Sequence, residues 1–194
     1  CNACHITHNA PGGALTNTFG NANLCLSCHT LIGAAYLKPF TNANKADPLG
    51  GTGDSHSWDV PSVNSTYETV LTSDPDMVLR VDGVDDNITC STCHNQHNSN
   101  ANINYIRVSN VGDAMCKDCH SPRNLGRYID NTTDNRGSHP VGLAYSGTGD
   151  YEPTPTGFAL LVGGKVECSS CHIVHYAPTS DGSLLRQTND DALC

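Results

Sequence analysis

Cys1-Asn2-Ala3-Cys4-His5 decides the reading of this chain, because the same five-residue pattern returns four more times. It recurs as Cys25-Leu26-Ser27-Cys28-His29, Cys90-Ser91-Thr92-Cys93-His94, Cys116-Lys117-Asp118-Cys119-His120 and Cys168-Ser169-Ser170-Cys171-His172. Cys-x-x-Cys-His is the attachment signature of c-type haem. The two thiols form thioethers with the porphyrin vinyl groups, and the adjacent imidazole becomes an axial ligand of the iron. Cys-x-x-Cys pairs also build zinc sites and redox dithiols, but neither chemistry needs a histidine after every pair. Histidine makes up 10 of 194 residues, so five such hits by chance arise roughly once in 3 million chains of this composition. Five covalently attached haems c are therefore expected.

The motifs come in pairs. Cys1 and Cys25 are 24 residues apart, Cys90 and Cys116 are 26 apart, and Cys168 and Cys194 are 26 apart. The first motif of each pair carries an extra histidine three residues on, in His5-Ile6-Thr7-His8, His94-Asn95-Gln96-His97 and His172-Ile173-Val174-His175. A longer loop with a Ser-His step follows the second motif, at Ser55-His56 and Ser138-His139. Asn and Asp precede Leu193-Cys194 much as they precede Cys25 and Cys116, so Cys194 reads as the opening of a sixth motif, with the chain cut in mid-repeat. Three units follow: residues 1–89, 90–167 and an incomplete 168–194.

The histidines close a count. Five belong to the motifs, and His8, His56, His97, His139 and His175 are left, one for each haem. Any one of them alone reads as a surface or hydrogen-bonded histidine. All five at repeated positions read as second axial ligands, giving bis-histidine iron. The two methionines, Met77 and Met115, are too few to compete, and His/Met ligation would raise the potential. If the +3 histidines stand on a helical turn, their side chains lie about 5–6 Å from the motif histidine. They then cannot bind the opposite face of the same haem and must serve another. That geometry draws neighbouring irons together in a line.

Composition agrees with a cofactor-built core. Leu, Ile, Val and Phe total 37 of 194 residues, with a formal charge of -9, just under the roughly 20 per cent at which charged chains tend to be disordered. The porphyrins supply the missing apolar area, so the chain without haem is expected to be unfolded. Haem propionates and ferric iron take the charge to roughly -14, which makes nucleic acid an unsuitable partner. No apolar run approaches the roughly 18 residues of a membrane-spanning helix. No signal peptide is visible, and any leader before Cys1 is expected to have been removed. The expected fold is mostly irregular, with short helices at the motifs and a few short hairpins around stacked haems. Leu31 to Leu37 is a candidate helix extension. Met77 to Val81 and Phe158 to Val162 are candidate hairpin strands.

Cys-x-x-Cys-His-x-x-His, a second Cys-x-x-Cys-His some 25 residues on, and Ser138-His139-Pro140-Val141 in a loop together resemble the doubled-CXXCH multihaem cytochromes c across the whole chain. The first loop departs from that pattern with Ser57-Trp58 after His56. The resemblance implies an electron carrier that is secreted or held at the cell surface, with the periplasm as the alternative. It also implies redox partner proteins or extracellular acceptors. Some proteins similar to these assemble head to tail into extracellular haem filaments.

The competing function is a multihaem reductase acting on nitrite, hydroxylamine or an oxyanion. Reduction at iron needs an open coordination position, and ten histidines for five haems leave none. A filament in which conduction is incidental does not explain the paired ligands. Asn64-Ser65-Thr66, Asn87-Ile88-Thr89 and Asn131-Thr132-Thr133 fit a glycosylation acceptor, though chance accounts for them in so Asn- and Thr-rich a chain. Asp82 to Asp86 lacks the spacing of a calcium loop.

Overall fold

Each Cys-x-x-Cys-His segment closes one helical turn by the same hydrogen bond. The histidine backbone N–H donates to the carbonyl of the first cysteine, at 2.9 Å for His5 and Cys1, 3.0 Å for His29 and Cys25, 3.0 Å for His94 and Cys90, 2.9 Å for His120 and Cys116, and 3.0 Å for His172 and Cys168. That four-residue return is the unit bond of an α-helix. The computed structural model describes residues 1–12, 15–16, 21–46, 53–65, 68–78, 87–98, 104–123, 141–144, 164–180 and 182–188. Within them the helices are short: α1 (Asn21–Leu26), α2 (Pro75–Val78), α3 (Cys90–Cys93), α4 (Ala114–Cys119) and α5 (Cys168–Cys171).

The motif residues start their own helices. Before α3, the Thr89 backbone N–H donates to Thr92 Oγ1 at 2.9 Å. Before α5, the Glu167 backbone N–H donates to Ser170 Oγ at 3.0 Å. A hydroxyl at the second spacer position thus satisfies a donor that a one-turn helix would leave unpaired. Thr92 and Ser170 are buried as a result.

Two antiparallel hairpins lead into these helices. β1 (Val60–Pro61) pairs with β2 (Asn87–Ile88), with Val60 opposite Ile88, and β2 runs into α3. β3 (Leu143–Ala144) pairs with β4 (Lys165–Val166), with Leu143 opposite Val166, and β4 runs into α5. The hairpins therefore join a distant loop to the approach of a first-of-pair motif. They are not the local hairpins the sequence suggested. Met77 lies in α2, where Asp74 Oδ1 accepts the Asp76 N–H at 2.9 Å and Pro75 holds the first helical position, so capping overrides the alternation. Residues 79–81 and Phe158 to Val162 lie outside the described residues.

Residues 31–37 form successive turns and no helix. The Ala35 N–H donates back to the Cys28 carbonyl at 2.9 Å and the Phe40 N–H to the His29 carbonyl at 2.8 Å. A Cβ at Gly33 would run into the Cys28 carbonyl, so glycine is what lets the chain fold back so closely.

The apolar core is small. Among the described residues only Ala22, Ala46, Trp58, Met77, Ala177 and Leu185 are buried hydrophobics, while Ile32 is 97% exposed and Val111 85% exposed. Of the larger apolar side chains described, Trp58, Met77 and Leu185 are buried, while Leu31, Ile32, Leu37 and Val111 are left exposed. No described helix is long and apolar enough to cross a membrane.

Candidate functional site

The returning backbone that follows three of the motifs orients their histidines. His29 Nδ1 lies 2.8 Å from the Lys38 carbonyl, His94 Nδ1 2.8 Å from the Asn104 carbonyl, and His172 Nδ1 2.8 Å from the Ser183 carbonyl. Among the spare histidines, His56 Nδ1 lies 2.9 Å from the Ser57 carbonyl. A carbonyl only accepts, so Nδ1 is the protonated nitrogen and Nε2 keeps its lone pair. This is the arrangement in which histidine ligates a metal.

Three motif histidines face a spare histidine. His5 and His97 have ring centres 5.9 Å apart with planes 24° from parallel, His94 and His175 are 6.2 Å apart at 22°, and His56 and His120 are 6.4 Å apart at 74°. One metal ion held between two such rings, with bonds of about 2.0 Å to each, would set their centres at a separation in this range. Aromatic rings in ordinary contact span about 4.5–7 Å, so the spacing alone decides nothing. The register adds to it. His97 and His175 occupy the same position in successive units, and each faces the first motif histidine of the unit before. The donor set of two thiols and two imidazoles at each of these places fits a haem.

No histidine ring faces His8, His29 or His172 among the described residues. His139 and Cys194 lie outside the described residues. No group of three or more His, Cys, Asp or Glu side chains gathers as a metal cage among the described residues.

The paired sites adjoin one another. Burial first, and then the neighbouring His94, His56 and His29, push His175 down to about 4. Burial first, and then His56, Arg123 and His172, push His120 down to about 4. Each ring thus sits within electrostatic reach of the next site's histidine, from His29 through His94 and His175, and His56 and His120, to His172. Neighbouring motifs also touch through their cysteines. Cys25 and Cys90 are hydrogen-bonded to each other, which lowers Cys25 and, with burial, raises Cys90. Burial pushes Cys93 and Cys119 up to about 11 and Cys116 up to about 12. All ten described cysteines are free of disulfides.

Phe40 fills the space between two of the histidines. Its ring centre lies 5.7 Å from His29 and 5.1 Å from His175, and it packs on Trp58 at 6.0 Å and on Tyr176 at 5.0 Å. The loop that carries His56 docks beside it. The His56 N–H donates to the Val174 carbonyl at 2.7 Å and the Ala177 N–H to the Asp54 carbonyl at 2.6 Å. Trp58, which interrupts the Ser-His-Pro-Val pattern, is thereby a core residue.

The helical premise for the +3 histidines is corrected. His94 has φ -114 and ψ 143, and His172 has φ -106 and ψ 150, so the chain leaves the motif extended. His97 and His175 therefore do not continue the helical turn of their own motif. The returning segments 104–107 and 183–186 are a second feature that motif reading missed. Their signal is the recurrence of an aliphatic-Arg step, Ile106-Arg107 and Leu185-Arg186, 12 residues after His94 and 13 after His172.

Compared with protein families, curated proteins and solved structures, the chain has no match in any of the three.

Proposed function

We propose that this chain is a multihaem c-type cytochrome that passes electrons along a row of closely spaced haems, each tethered by two cysteines and held by two histidines. The observation that carries this reading is the pairing of His5 with His97, His94 with His175, and His120 with His56 at 5.9–6.4 Å. Bound haem supplies a one-electron iron couple, whose potential the ligands and their surroundings set. The chain's residues bind and orient it. The cysteines tether the macrocycle, the backbone carbonyls at Asn104, Ser183 and Lys38 hold Nδ1–H and so aim Nε2, and Phe40, Trp58 and Tyr176 exclude water between sites.

Two further observations support it. Burial raises the thiols of Cys93, Cys116, Cys119 and Cys168, whereas redox dithiols and zinc thiolates need theirs lowered. The small apolar core also leaves room for porphyrin to complete it. A location outside the cytoplasm, at the cell surface or as a head-to-tail filament, belongs to this same proposal.

Intact mass and the pyridine haemochrome spectrum of the purified protein test it. Five haems per 20.5 kDa chain with a low-spin spectrum are expected, and zinc or a count of four or fewer overturns the reading. His29 and His172, which no histidine ring faces among the described residues, keep the reductase as the second reading. A high-spin fraction in the assembled protein that binds carbon monoxide and turns over nitrite would favour it.

A further inference from the structure

One returning segment serves two purposes in the second and third units. The Asn104 and Ser183 carbonyls hold the motif imidazoles, and three residues later an arginine closes on the motif backbone. Arg107 Nε donates to the Ser91 carbonyl at 2.9 Å and its Nη2 to the His94 carbonyl at 2.9 Å, while its backbone N–H donates to the Cys93 carbonyl at 2.8 Å. Arg186 repeats the pattern, with Nε 2.8 Å from the Ser169 carbonyl and its backbone N–H 2.9 Å from the Cys171 carbonyl. The two segments share their backbone course. Ile106 bridges His94 and Leu185 bridges His172, and the preceding Tyr105 and Leu184 both have φ of 54°.

The carbonyls so engaged are those a one-turn helix leaves without partners, and a cation at a helix C-terminus is favourable there. A planar fork can hold two carbonyls at once, which an ammonium on a flexible stem cannot do with the same geometry. The first unit keeps the backbone course and lacks the arginine. Thr16 bridges His5, the Ile6 N–H donates to the Leu15 carbonyl at 2.9 Å, and Leu15 has φ of 60°. The residue after Thr16 is Asn17, where the other units have Arg107 and Arg186.

We propose that Arg107 and Arg186 are positioning residues that raise the reduction potentials of the haems on Cys90/Cys93 and Cys168/Cys171 above that of the haem on Cys1/Cys4. This rests on the cytochrome reading above. Oxidation of a haem adds one positive charge to it. A guanidinium fixed on the carbonyls of the axial histidine and of the motif helix opposes that charge, and being permanently charged it does so at every pH. The consequence is a built-in slope, with the first unit's haem the easiest of the three to oxidise.

The test is a spectroelectrochemical titration of the holoprotein against Arg107→Gln and Arg107→Lys, with haem count and spin state recorded first. Arg107→Gln is expected to shift one of five couples negative by about tenfold in its oxidised-to-reduced ratio, or about 59 mV for a one-electron couple. Arg107→Lys is expected to keep most of the potential while losing thermal stability, because it retains charge and loses the fork. Arg186→Gln reads the same quantity on a different couple and covers a failure of the Arg107 variants to mature. Five low-spin haems whose couples stay unmoved in Arg107→Gln and Arg186→Gln overturn the proposal. So do couples that all shift together. A wild-type protein without five low-spin haems overturns the cytochrome reading instead.

Discussion

His94 and His175 face one another at 6.2 Å, with ring planes 22° from parallel, although each follows a different Cys-x-x-Cys-His turn. His94 is anchored through Nδ1 to the Asn104 carbonyl. His175 Nδ1 is buried with no hydrogen-bond partner among the described residues. The pair is therefore asymmetric, with one imidazole held by the backbone and the other by the rings of Phe40 and Tyr176 around it.

That asymmetry sets the first prediction. His175→Ala should leave haem attachment at Cys90/Cys93 intact and free one iron position, since the thioethers do not depend on the distal ligand. About one haem in five should become high-spin and bind carbon monoxide, read from the visible spectrum. Exogenous imidazole should restore the low-spin band. A wholly low-spin His175→Ala protein would remove His175 from the ligand set.

Acid should weaken the protein between pH 6.5 and about 4. His120 and His175 sit at about 4 in the fold, chiefly through burial, against an ordinary 6.5. The folded values are lowered, so the unfolded chain takes up protons first as the pH falls. Stability from these two groups is full above about 6.5, declines through the window and is gone below about 4. The neutral imidazole is also the form that ligates metal. Denaturation midpoints and the low-spin band measured from pH 7 to 3.5 should fall together, and a flat profile across that window would contradict the burial argument.

The joint between the fourth and fifth motifs gives another prediction. Lys117 Nζ lies 2.7 Å from Glu167 Oε2, with the glutamate side chain 6% exposed and the lysine 25%. Asp113 Oδ2 accepts the Ser169 N–H at 2.6 Å across the same joint. The glutamate raises Lys117 above its ordinary value, so this contribution holds below about pH 10.5 and fades as the pH climbs past the raised value. Glu167→Gln keeps the helix start, which uses backbone, and loses the charge. It should cost about 1–2 kcal/mol, or about 2–8 °C in Tm. Lys117→Met should cost a similar amount, and the double variant less than the sum of the two.

The sequence revealed the motif turns because their chemistry is local. Two cysteines, a histidine and a Ser or Thr spacer carry enough information to close one helical turn at Cys90 or Cys168. The repeat register of His97 and His175 was legible for the same reason. What it hid is long-range or carried by backbone. The pairing of Val60 with Ile88 joins residues with no alternating pattern to announce them. The left-handed turns at Leu15, Tyr105 and Leu184 use no glycine or asparagine, so turn chemistry gave no signal. Met77 read as strand because its alternation was visible and the capping by Asp74 was not weighed against it. Trp58 read as a broken pattern, and it is a core residue packed on Phe40.

The last prediction concerns His8. His97 faces His5 and His175 faces His94, so the +3 histidine of each unit reaches the first motif histidine of the unit before it. His8 holds the same position. His8-Asn9-Ala10-Pro11 repeats His175-Tyr176-Ala177-Pro178 in sequence, and Asn9 and Tyr176 share a positive φ of 55° and 57°. By the same rule His8 belongs to a histidine one unit upstream. His172 is a first motif histidine with no facing ring among the described residues. The upstream histidine belongs either to a preceding unit of a longer chain or to a second copy; in the second case a head-to-tail contact in which His8 of one copy meets His172 of the next would satisfy both, and a heterologous contact that does not close extends into a filament. His8→Ala should then leave wild-type assemblies unable to grow through that end, with about one haem in five high-spin per chain. The particle length distribution and carbon monoxide titration of wild-type and His8→Ala protein measure this directly. An assembled His8→Ala protein in which every haem stays six-coordinate defeats the joint. Wild-type protein that remains a monomer with all irons low-spin defeats it as well, since His8 would then be ligating within its own chain.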